Sequence, residues 1–211
     1  MDIKKFFDSV NHDILFQLLK IKIKDQDMLW FLEEIIQSYH SSQGDGIGLP
    51  IGNLTSQIFA NIYLSELDYF AKCTLRESYY FRYADDFIFL HTDKAHLEQI
   101  EAEVQNFVTE HLHMVVHPNK IDYRKFSQGV DFVGYVLLPH YRVLRTKTKH
   151  RMFKKVMGKV RDYNAGLLTK QSLNQGAQSY LGLLTHCSGQ QIKDRLQNEI
   201  WLGTVAGNES F

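Results

Sequence analysis

The stretch YYFRYADDFIFL, residues 79–90, sets two adjacent aspartates between two short aromatic and β-branched runs. Such runs favour β-strands, and only Ala84, Asp85 and Asp86 separate them. The sequence therefore predicts a tight hairpin with both acids at or near its tip. Two like charges in an apolar segment are unfavourable unless a positive charge neutralises them. The stretch raises the question of which cation faces this hairpin.

A divalent cation is one answer, because Mg²⁺ binds oxygen ligands, commonly one or two carboxylates together with substrate phosphates. Asp2 heads the apolar run IKKFF, which is typical of a strand over residues 1–7. Pairing of this strand beside the hairpin would bring Asp2 against Asp85 and Asp86. Two metal ions held there, Mg²⁺ or alternatively Mn²⁺, would stabilise the attacking and leaving oxygens of a phosphoryl transfer. A solvated acidic turn is the alternative interpretation.

The composition is that of a globular chain. Its 211 residues, 44% hydrophobic, suffice for one core or two small domains. Cys73 and Cys187 form neither a disulfide framework nor a zinc motif, which favours a reducing cytoplasm. No run reaches the roughly 18–20 apolar residues that cross a bilayer, and the charged start is unlike a signal peptide.

Charge is distributed unevenly along the chain. Basic and acidic residues number 24 each, so net charge alone does not indicate a nucleic-acid-binding protein. Residues 142–161, RVLRTKTKHRMFKKVMGKVR, nevertheless contain nine lysines and arginines and no acid. This one-sided block favours contact with phosphates, and a solvated helix face is the alternative.

Apolar spacing predicts four helices in the first two thirds of the chain. They lie within residues 11–23 (capped by Asn11 or Asp13), 25–40 (capped by Asp25 or Asp27), 54–73 and 94–112. A glycine-rich loop, SSQGDGIGLPIGN, occupies residues 41–53. The remaining segments are a strand, a Pro118–Asn119 turn and a second strand in 114–126, a small β unit in 129–145, and three helices from about 149, broken near 166–168 and 188–189.

The order of these segments resembles the palm of reverse transcriptases. DIKKFFDSVNHDIL (2–15) is similar to the first palm motif of bacterial members, and GLPIGNLTSQIFANIYLSELDYF (48–70) to the loop–helix motif that follows. YADD (83–86) is the family's catalytic hairpin signature. HPNKIDY (117–123), VDFVGYVL (130–137) and SYLGLLTHCS (179–188) resemble later motifs, the last in the thumb. The resemblance implies an α+β palm, an antiparallel sheet packed on helices, over residues 1–145, and an all-α thumb over 146–211.

The same resemblance implies roles for individual residues. Asp2 and Asp85 would ligate the metals with support from Asp86, and Lys120 would protonate the pyrophosphate leaving group. Phe7 stands at the steric-gate position that excludes a 2′-hydroxyl, whereas Phe6 is the expected core residue. Further implied nucleotide contacts are Pro50, Ile51, Gly52, Ser56, Gln57 and Tyr83. Implied template–primer contacts are Phe132, Gly134, Tyr135, Arg145, Lys147, Lys149, Arg151, Lys154 and Lys155. Core packing for the aromatics and plain surface exposure for Lys120 are the alternatives.

Two positions depart from the usual pattern of the family. Most reverse transcriptases carry Gln where Ile51 stands and Pro where Gln57 stands. This variant resembles the enzymes of diversity-generating retroelements, which copy a template RNA into cDNA with errors at adenines. Loss of an amide that hydrogen-bonds near the nascent pair would weaken discrimination against mispairs. The implied partners are an RNA template, a DNA or cDNA primer, deoxynucleotide triphosphates and a small basic helical accessory protein.

The family's fingers region precedes the first palm motif, and here only Met1 precedes Asp2. We therefore expect a fragment that lacks fingers. Two other functions stay open. One is a non-catalytic nucleic-acid-binding remnant or subunit. The other is a reverse transcriptase of group II intron, retron, abortive-infection or CRISPR-linked type, against which Ile51 and the pair Ser56–Gln57 argue.

Overall fold

The chain divides into two compact units, Met1–Asp122 and Tyr123–Phe211. The computed structural model describes residues 1–208, with side chains for residues 1–204. Residues 209–211, the end of the predicted thumb, lie outside the described residues. Within the described part, no helix has the length and apolar character needed to cross a membrane. Cys73 and Cys187 are both free thiols.

The first unit contains five helices and one β-hairpin. The helices are α1 (Phe6–Ser9), α2 (His12–Lys22), α3 (Gln26–Gln37), α4 (Leu54–Tyr69) and α5 (Lys94–Glu110). The strands are β1 (Tyr80–Tyr83) and β2 (Asp86–Phe89). A π-helical turn, Phe70–Thr74, extends α4, and a 3₁₀ turn covers Pro118–Lys120.

Side-chain caps fix the starts of two of these helices. Asn11 accepts a hydrogen bond from the backbone N–H of Ile14, and Asp25 accepts one from that of Met28. In each case the first of the two predicted cap residues is the one that caps. These caps satisfy N–H groups that have no partner within the helix, which confirms the predicted helix starts.

The predicted strand over residues 1–7 is wrong beyond Ile3. Asp2 and Ile3 form single antiparallel bridges, to Asp86 and Val116 respectively, and helix α1 follows. The reason is local, because Lys5 adopts a left-handed backbone (φ 49°) that ends the extended run. The turn that follows delivers Phe6 into the core, as predicted for that residue.

The second strand predicted after Pro118 is also wrong. Proline fixes φ and has no N–H to donate to a ladder. Instead the His117 ring accepts a hydrogen bond from the Asn119 N–H and caps a 3₁₀ turn, and residues 121–125 form no strand. Only Val116, before the proline, joins a β-bridge.

The hairpin itself is confirmed. Strands β1 and β2 pair from Tyr80 opposite Phe89 to Tyr83 opposite Asp86. The loop is therefore only two residues long, Ala84 and Asp85. Asp85 lies at the tip, whereas Asp86 is the first residue of β2.

The core of the first unit surrounds α4 and fixes the position of the hairpin. Tyr63 is fully buried and donates its hydroxyl to the carbonyl of Leu112 over 2.7 Å. Phe87, next to Asp86 in β2, is fully buried in the same cluster. Burial of a phenylalanine ring stabilises by roughly 1.5–3 kcal/mol, so Phe87 anchors the strand that carries the acid.

The second unit joins a small sheet to three helices. Its strands are β3 (Val130–Phe132), β4 (Tyr135–Leu137) and β5 (Arg142–Leu144), antiparallel in that order. Its helices are α6 (Thr146–Asn164), α7 (Lys170–Thr185) and α8 (Gln190–Asn208). Both the β unit and the three helices were predicted, with the breaks in the expected places.

Candidate active site

Asp2 and the hairpin acids meet on one small β arrangement. Asp2 bridges Asp86, and the Phe87 N–H donates to the Met1 carbonyl over 3.0 Å. On the other side of the chain, the His117 N–H donates to the Asp2 carbonyl over 2.8 Å. The first residues therefore lie between β2 and the segment that precedes Pro118, and Asp2 is buried there at 8% exposure.

The local electrostatics are unfavourable for the hairpin acids. Burial raises the pKa of Asp85, and the nearby Asp2 carboxylate raises it further. The pKa of Asp86 is raised by burial first, then by the charges of Asp2 and Asp85. The Lys120 cation opposes both shifts without cancelling them. Burial and the neighbouring carboxylates thus disfavour the charged forms of Asp85 and Asp86, although Lys120 and the N-terminal ammonium act against this on Asp86.

Lys120 lies at the same site and contacts Asp2 directly. Its Nζ donates to Oδ2 of Asp2, and this hydrogen bond is the main reason that the pKa of Lys120 is raised. The lysine side chain remains half exposed, so its ammonium group is held at the edge of the site. The structure therefore brings together all four residues predicted to be catalytic: Asp2, Asp85, Asp86 and Lys120.

Phe7 borders the glycine-rich loop. Its ring meets that of Phe6 edge to face at 5.3 Å, and its carbonyl accepts the Leu49 N–H over 2.7 Å. This contact sets Phe7 beside the predicted nucleotide-binding segment that starts at Pro50. Phe7 is half-buried, with part of its ring packed on the core and part accessible.

A buried histidine holds the loop in place. His12 Nε2 lies 2.7 Å from the Gly48 carbonyl, and the His12 backbone N–H donates to the Gly46 carbonyl over 2.9 Å. Gly48 has φ 108°, and a Cβ there would lie 2.6 Å from that of Ser41, so the loop requires glycine. The other ring nitrogen of His12, Nδ1, is buried without a hydrogen-bond partner. Sequence reasoning missed this residue.

The other predicted nucleotide contacts around the start of α4 differ in their exposure to solvent. Ile51 is 79% exposed, Gly52 and Gln57 are exposed, and Ser56 is buried in the core. Ser56 is therefore inaccessible, unlike the four solvent-facing or half-buried positions Pro50, Ile51, Gly52 and Gln57. Tyr83 is exposed opposite Asp86, next to the hairpin tip.

In the second unit, helix α6 has one apolar and one basic face. Met152, Val156 and Val160, four residues apart, are buried, which is the spacing of one helix face. The lysines and arginine predicted to bind nucleic acid are exposed at Lys147, Arg151, Lys154 and Lys155, and half-buried at Lys149. A phosphate backbone could contact the exposed face without disturbing the core.

Three of the predicted nucleic-acid contacts have partners within the unit. Arg145 Nε pairs with Asp131 over 2.7 Å, which lowers its availability for phosphate. The Tyr135 hydroxyl donates to the Leu183 carbonyl over 3.0 Å. Phe132, half-buried, pairs with Tyr135 around a turn that includes Gly134.

Chemically, the carboxylates of Asp2, Asp85 and Asp86 suit a hard divalent cation. Within residues 1–204, no three His, Cys, Asp or Glu side chains are already arranged around a metal position. Mg²⁺ does not require such a cage, since it usually takes one or two carboxylates with substrate phosphates. Burial, and after it the neighbouring carboxylates, raise the pKa values of Asp85 and Asp86, and a bound cation would favour the charged forms of both side chains.

A profile of the family described as reverse transcriptase (RNA-dependent DNA polymerase) matches residues 1–137, the segment that contains all four clustered residues. The chain belongs to the reverse transcriptase family. The family is one of nucleotidyltransferases that make DNA on an RNA template. The resemblance drawn from the sequence is thereby confirmed at the level of the family.

Individual relatives of this chain agree with the family assignment. It is 37% identical over 76 residues to the group II intron-encoded protein LtrA of Lactococcus lactis subsp. cremoris, covering 33% of this chain and 12% of that protein. It is 41% identical over 73 residues to a 91 kDa cob-intron protein of Schizosaccharomyces pombe, covering 33% and 9%. The chain thus spans about a tenth of the length of these relatives.

A solved structure supports the fold. Telomerase from Candida tropicalis, determined with a fragment of telomeric RNA, aligns with the whole of this chain and 39% of its own at a TM-score of 0.57. Sequence identity is 16%, so the likeness concerns the fold alone. It agrees with the mixed helices and small antiparallel sheets described above.

Proposed function

We propose that this chain carries the catalytic centre of an RNA-directed DNA polymerase that copies an RNA template into cDNA. The observation that carries the proposal is the β-bridge between Asp2 and Asp86, 84 positions apart in sequence. It joins the acid of the first motif to the acids of the hairpin, and Lys120 completes the cluster. Such a group of like charges does not serve stability, since like charges at paired positions destabilise a sheet.

In this mechanism Asp2, Asp85 and Asp86 would hold two Mg²⁺ ions, with Mn²⁺ as a substitute. The ions would stabilise the attacking and leaving oxygens of the phosphoryl transfer. Two side chains of the protein have further roles in this mechanism. Phe7 limits the space at the sugar, and Lys120, already protonated and half exposed, donates a proton towards the pyrophosphate.

We further propose that residues 1–145 act as the palm and 146–211 as the thumb. The exposed basic face of α6 would follow the template–primer backbone through Lys147, Lys149, Arg151, Lys154 and Lys155. Phe132, Gly134, Tyr135 and Arg145 would lie near the primer end. Nucleotide binding by Pro50, Ile51, Gly52, Gln57 and Tyr83 is supported by their accessibility; Ser56 would support the same segment from within the core.

Primer extension tests this proposal. A DNA primer annealed to an RNA template, with deoxynucleotides and Mg²⁺, should be extended by the unchanged chain and not by Asp85→Asn, with a loss of about 100-fold or more. Asp27→Asn makes the same exchange at an exposed position of α3 and should retain activity. RNA binding without any incorporation would instead support the non-catalytic alternative.

For the subtype, we propose an enzyme of a diversity-generating retroelement, acting in the cytoplasm with a small basic accessory protein. Ile51 and Gln57 support this, because both are exposed at the loop–helix junction where an amide and a proline are usual in the family. Sequencing of the cDNA should then show errors concentrated at template adenines. The Ile51→Gln exchange should reduce them.

A group II intron-type enzyme is the second candidate, favoured by the similarity to LtrA and to the cob-intron protein. Its chemistry is the same, but its errors should be spread evenly over the template bases. The error spectrum therefore separates the two subtypes without further assumptions.

A further inference from the structure

The loop that presents Asp85 adopts an unfavourable backbone conformation. Ala84 has φ 52°, and it is the only central residue of the two-residue loop with a positive φ. Glycine is the residue favoured at this position of a short hairpin, because a Cβ collides with the neighbouring backbone. Some other part of the protein must therefore hold the loop in this conformation.

Arg82 supplies that restraint. Its Nη1 donates to the Ala84 carbonyl over 2.9 Å and lies 3.3 Å from Oδ1 of Asn61. Its Nε and Nη2 donate to the two carboxylate oxygens of Asp68 over 2.7 and 2.5 Å. The planar guanidinium thus links the turn to helix α4 with a paired geometry that a lysine cannot reproduce.

The link is shielded on the arginine side and is attached to a core helix, while the Asp68 side chain is 37% exposed. The Arg82 side chain is only 11% exposed. The Tyr80 hydroxyl donates over 2.8 Å to Oδ1 of Asp68, the oxygen that also accepts from Nε of Arg82. Asp68 follows Leu67, which is fully buried in the core of the first unit. The turn is therefore connected to α4, a helix with several buried core residues, rather than to a surface loop.

Arg82 does not act on the charge of the acids. In β1, alternate side chains lie on opposite faces, so Arg82 shares a face with Tyr80, while Tyr83 and its partner Asp86 share the other. The side-chain cation that opposes the raised pKa values of Asp85 and Asp86 is Lys120. The role left for Arg82 is geometric.

We propose that Arg82, anchored by Asp68, is a positioning residue that locks the left-handed Ala84 and thereby fixes the direction of the Asp85 and Asp86 carboxylates. The proposal rests on the function proposed above for these acids. Residues behind a metal site commonly contribute 10–100-fold to metal affinity by orienting its ligands. We expect Arg82 to contribute at the lower end of that range.

Three variants test the lock: Arg82→Lys, Ala84→Gly and the two combined. Arg82→Lys keeps the charge but loses the simultaneous bonds to Asp68 and Ala84. Hydrogen exchange of the peptide 79–90 and Mn²⁺ binding, followed by the electron paramagnetic resonance signal of the free ion, are measured on the full chain. Arg195→Lys, the same exchange at the exposed ion pair with Glu199, is the matched control.

The Arg82→Lys variant should exchange the hairpin about 10-fold faster and bind Mn²⁺ about 10-fold more weakly, with α2 and α4 unchanged. Adding Ala84→Gly to the Arg82→Lys variant should reverse most of both changes, because glycine accepts the positive φ without a restraint. Arg195→Lys should match the unchanged chain. Rescue by a loop residue distinguishes positioning from general destabilisation.

Two results would overturn the lock: hairpin exchange within twofold of the unchanged chain in Arg82→Lys, or faster exchange throughout the first unit that Ala84→Gly does not restore. A different result would contradict the proposed function: the unchanged chain would show no Mn²⁺ binding that the Asp85→Asn exchange removes. Even then, the exchange rates of the hairpin decide whether Arg82 holds the turn.

Discussion

Replacing Asp86 with asparagine should stabilise the metal-free protein while removing its response to metal. Asp86 lies directly opposite Asp2 in an antiparallel bridge. Like charges at such paired positions destabilise by about 0.2–1 kcal/mol, and Asp86 is exposed enough for solvent to screen part of this. We expect a gain of about 0.5 kcal/mol, or about 1–2 °C in Tm for a chain of this size.

The pH dependence of this gain has a definite sign. Burial and the neighbouring acids raise the pKa of Asp86 above its ordinary value of 3.8. Above the raised pKa, the charged Asp86 carboxylate therefore lowers the free energy of unfolding, and this loss disappears as pH falls below 3.8. The advantage of Asp86→Asn should be largest near pH 7.5 and should shrink as pH falls towards 4.

Added Mg²⁺ should reverse the order of stability. A metal at ten times its dissociation constant stabilises the folded state by about 1.4 kcal/mol, or about 3–5 °C here. The unchanged chain should gain this shift in a thermal unfolding assay, and Asp86→Asn should not. Asp27→Asn, at an exposed position of α3, should show neither the metal-free gain nor the lost metal response. An Asp86→Asn protein that is less stable without metal at pH 7.5, or that responds fully to Mg²⁺, would refute the reasoning.

Three further predictions concern other parts of the site. Phe7→Ala should allow ribonucleotide incorporation, seen as alkali-labile products, and sugar selectivity equal to that of the unchanged chain would contradict the steric gate. Phe6→Ala removes a ring that is only 3% exposed, so it should instead lower the free energy of unfolding in urea by about 3–5 kcal/mol. Lys120→Met should slow incorporation with little effect on primer–template affinity, and an unchanged rate would exclude it as the acid. Replacing Lys154 and Lys155 together with alanine should weaken RNA binding and reduce the slope of log K against log salt by about 1–2, whereas an unchanged slope would exclude phosphate contact.

Local patterns predicted the regular elements well. Asn11 and Asp25 could be identified as caps because a short polar side chain precedes each apolar period. The hairpin followed from its aromatic strands and short connection. The approach of Asp2 to the hairpin was also predicted, although only Asp2 and Ile3 of the expected strand form β-bridges.

Features set by single backbone angles or distant contacts were not predictable in this way. The first strand stops early because Lys5 turns left-handed, which no propensity of lysine indicates. The Arg82–Asp68 pair spans 14 positions and the Lys120–Asp2 pair spans 118, so each depends on the packed fold. The contact between the His12 ring and the Gly48 carbonyl, which holds the glycine-rich loop, likewise forms only in the completed fold.

Cleavage of the chain by bound iron tests the central claim most directly. Fe²⁺ can replace Mg²⁺ at oxygen sites, and with ascorbate and peroxide it cuts the backbone near the position where it is held. We predict a cut close to Asp85 that excess Mg²⁺ suppresses and that Asp86→Asn or Asp2→Asn removes. A cut elsewhere, or one that persists in both variants, would contradict the convergence of these acids on one metal-binding centre.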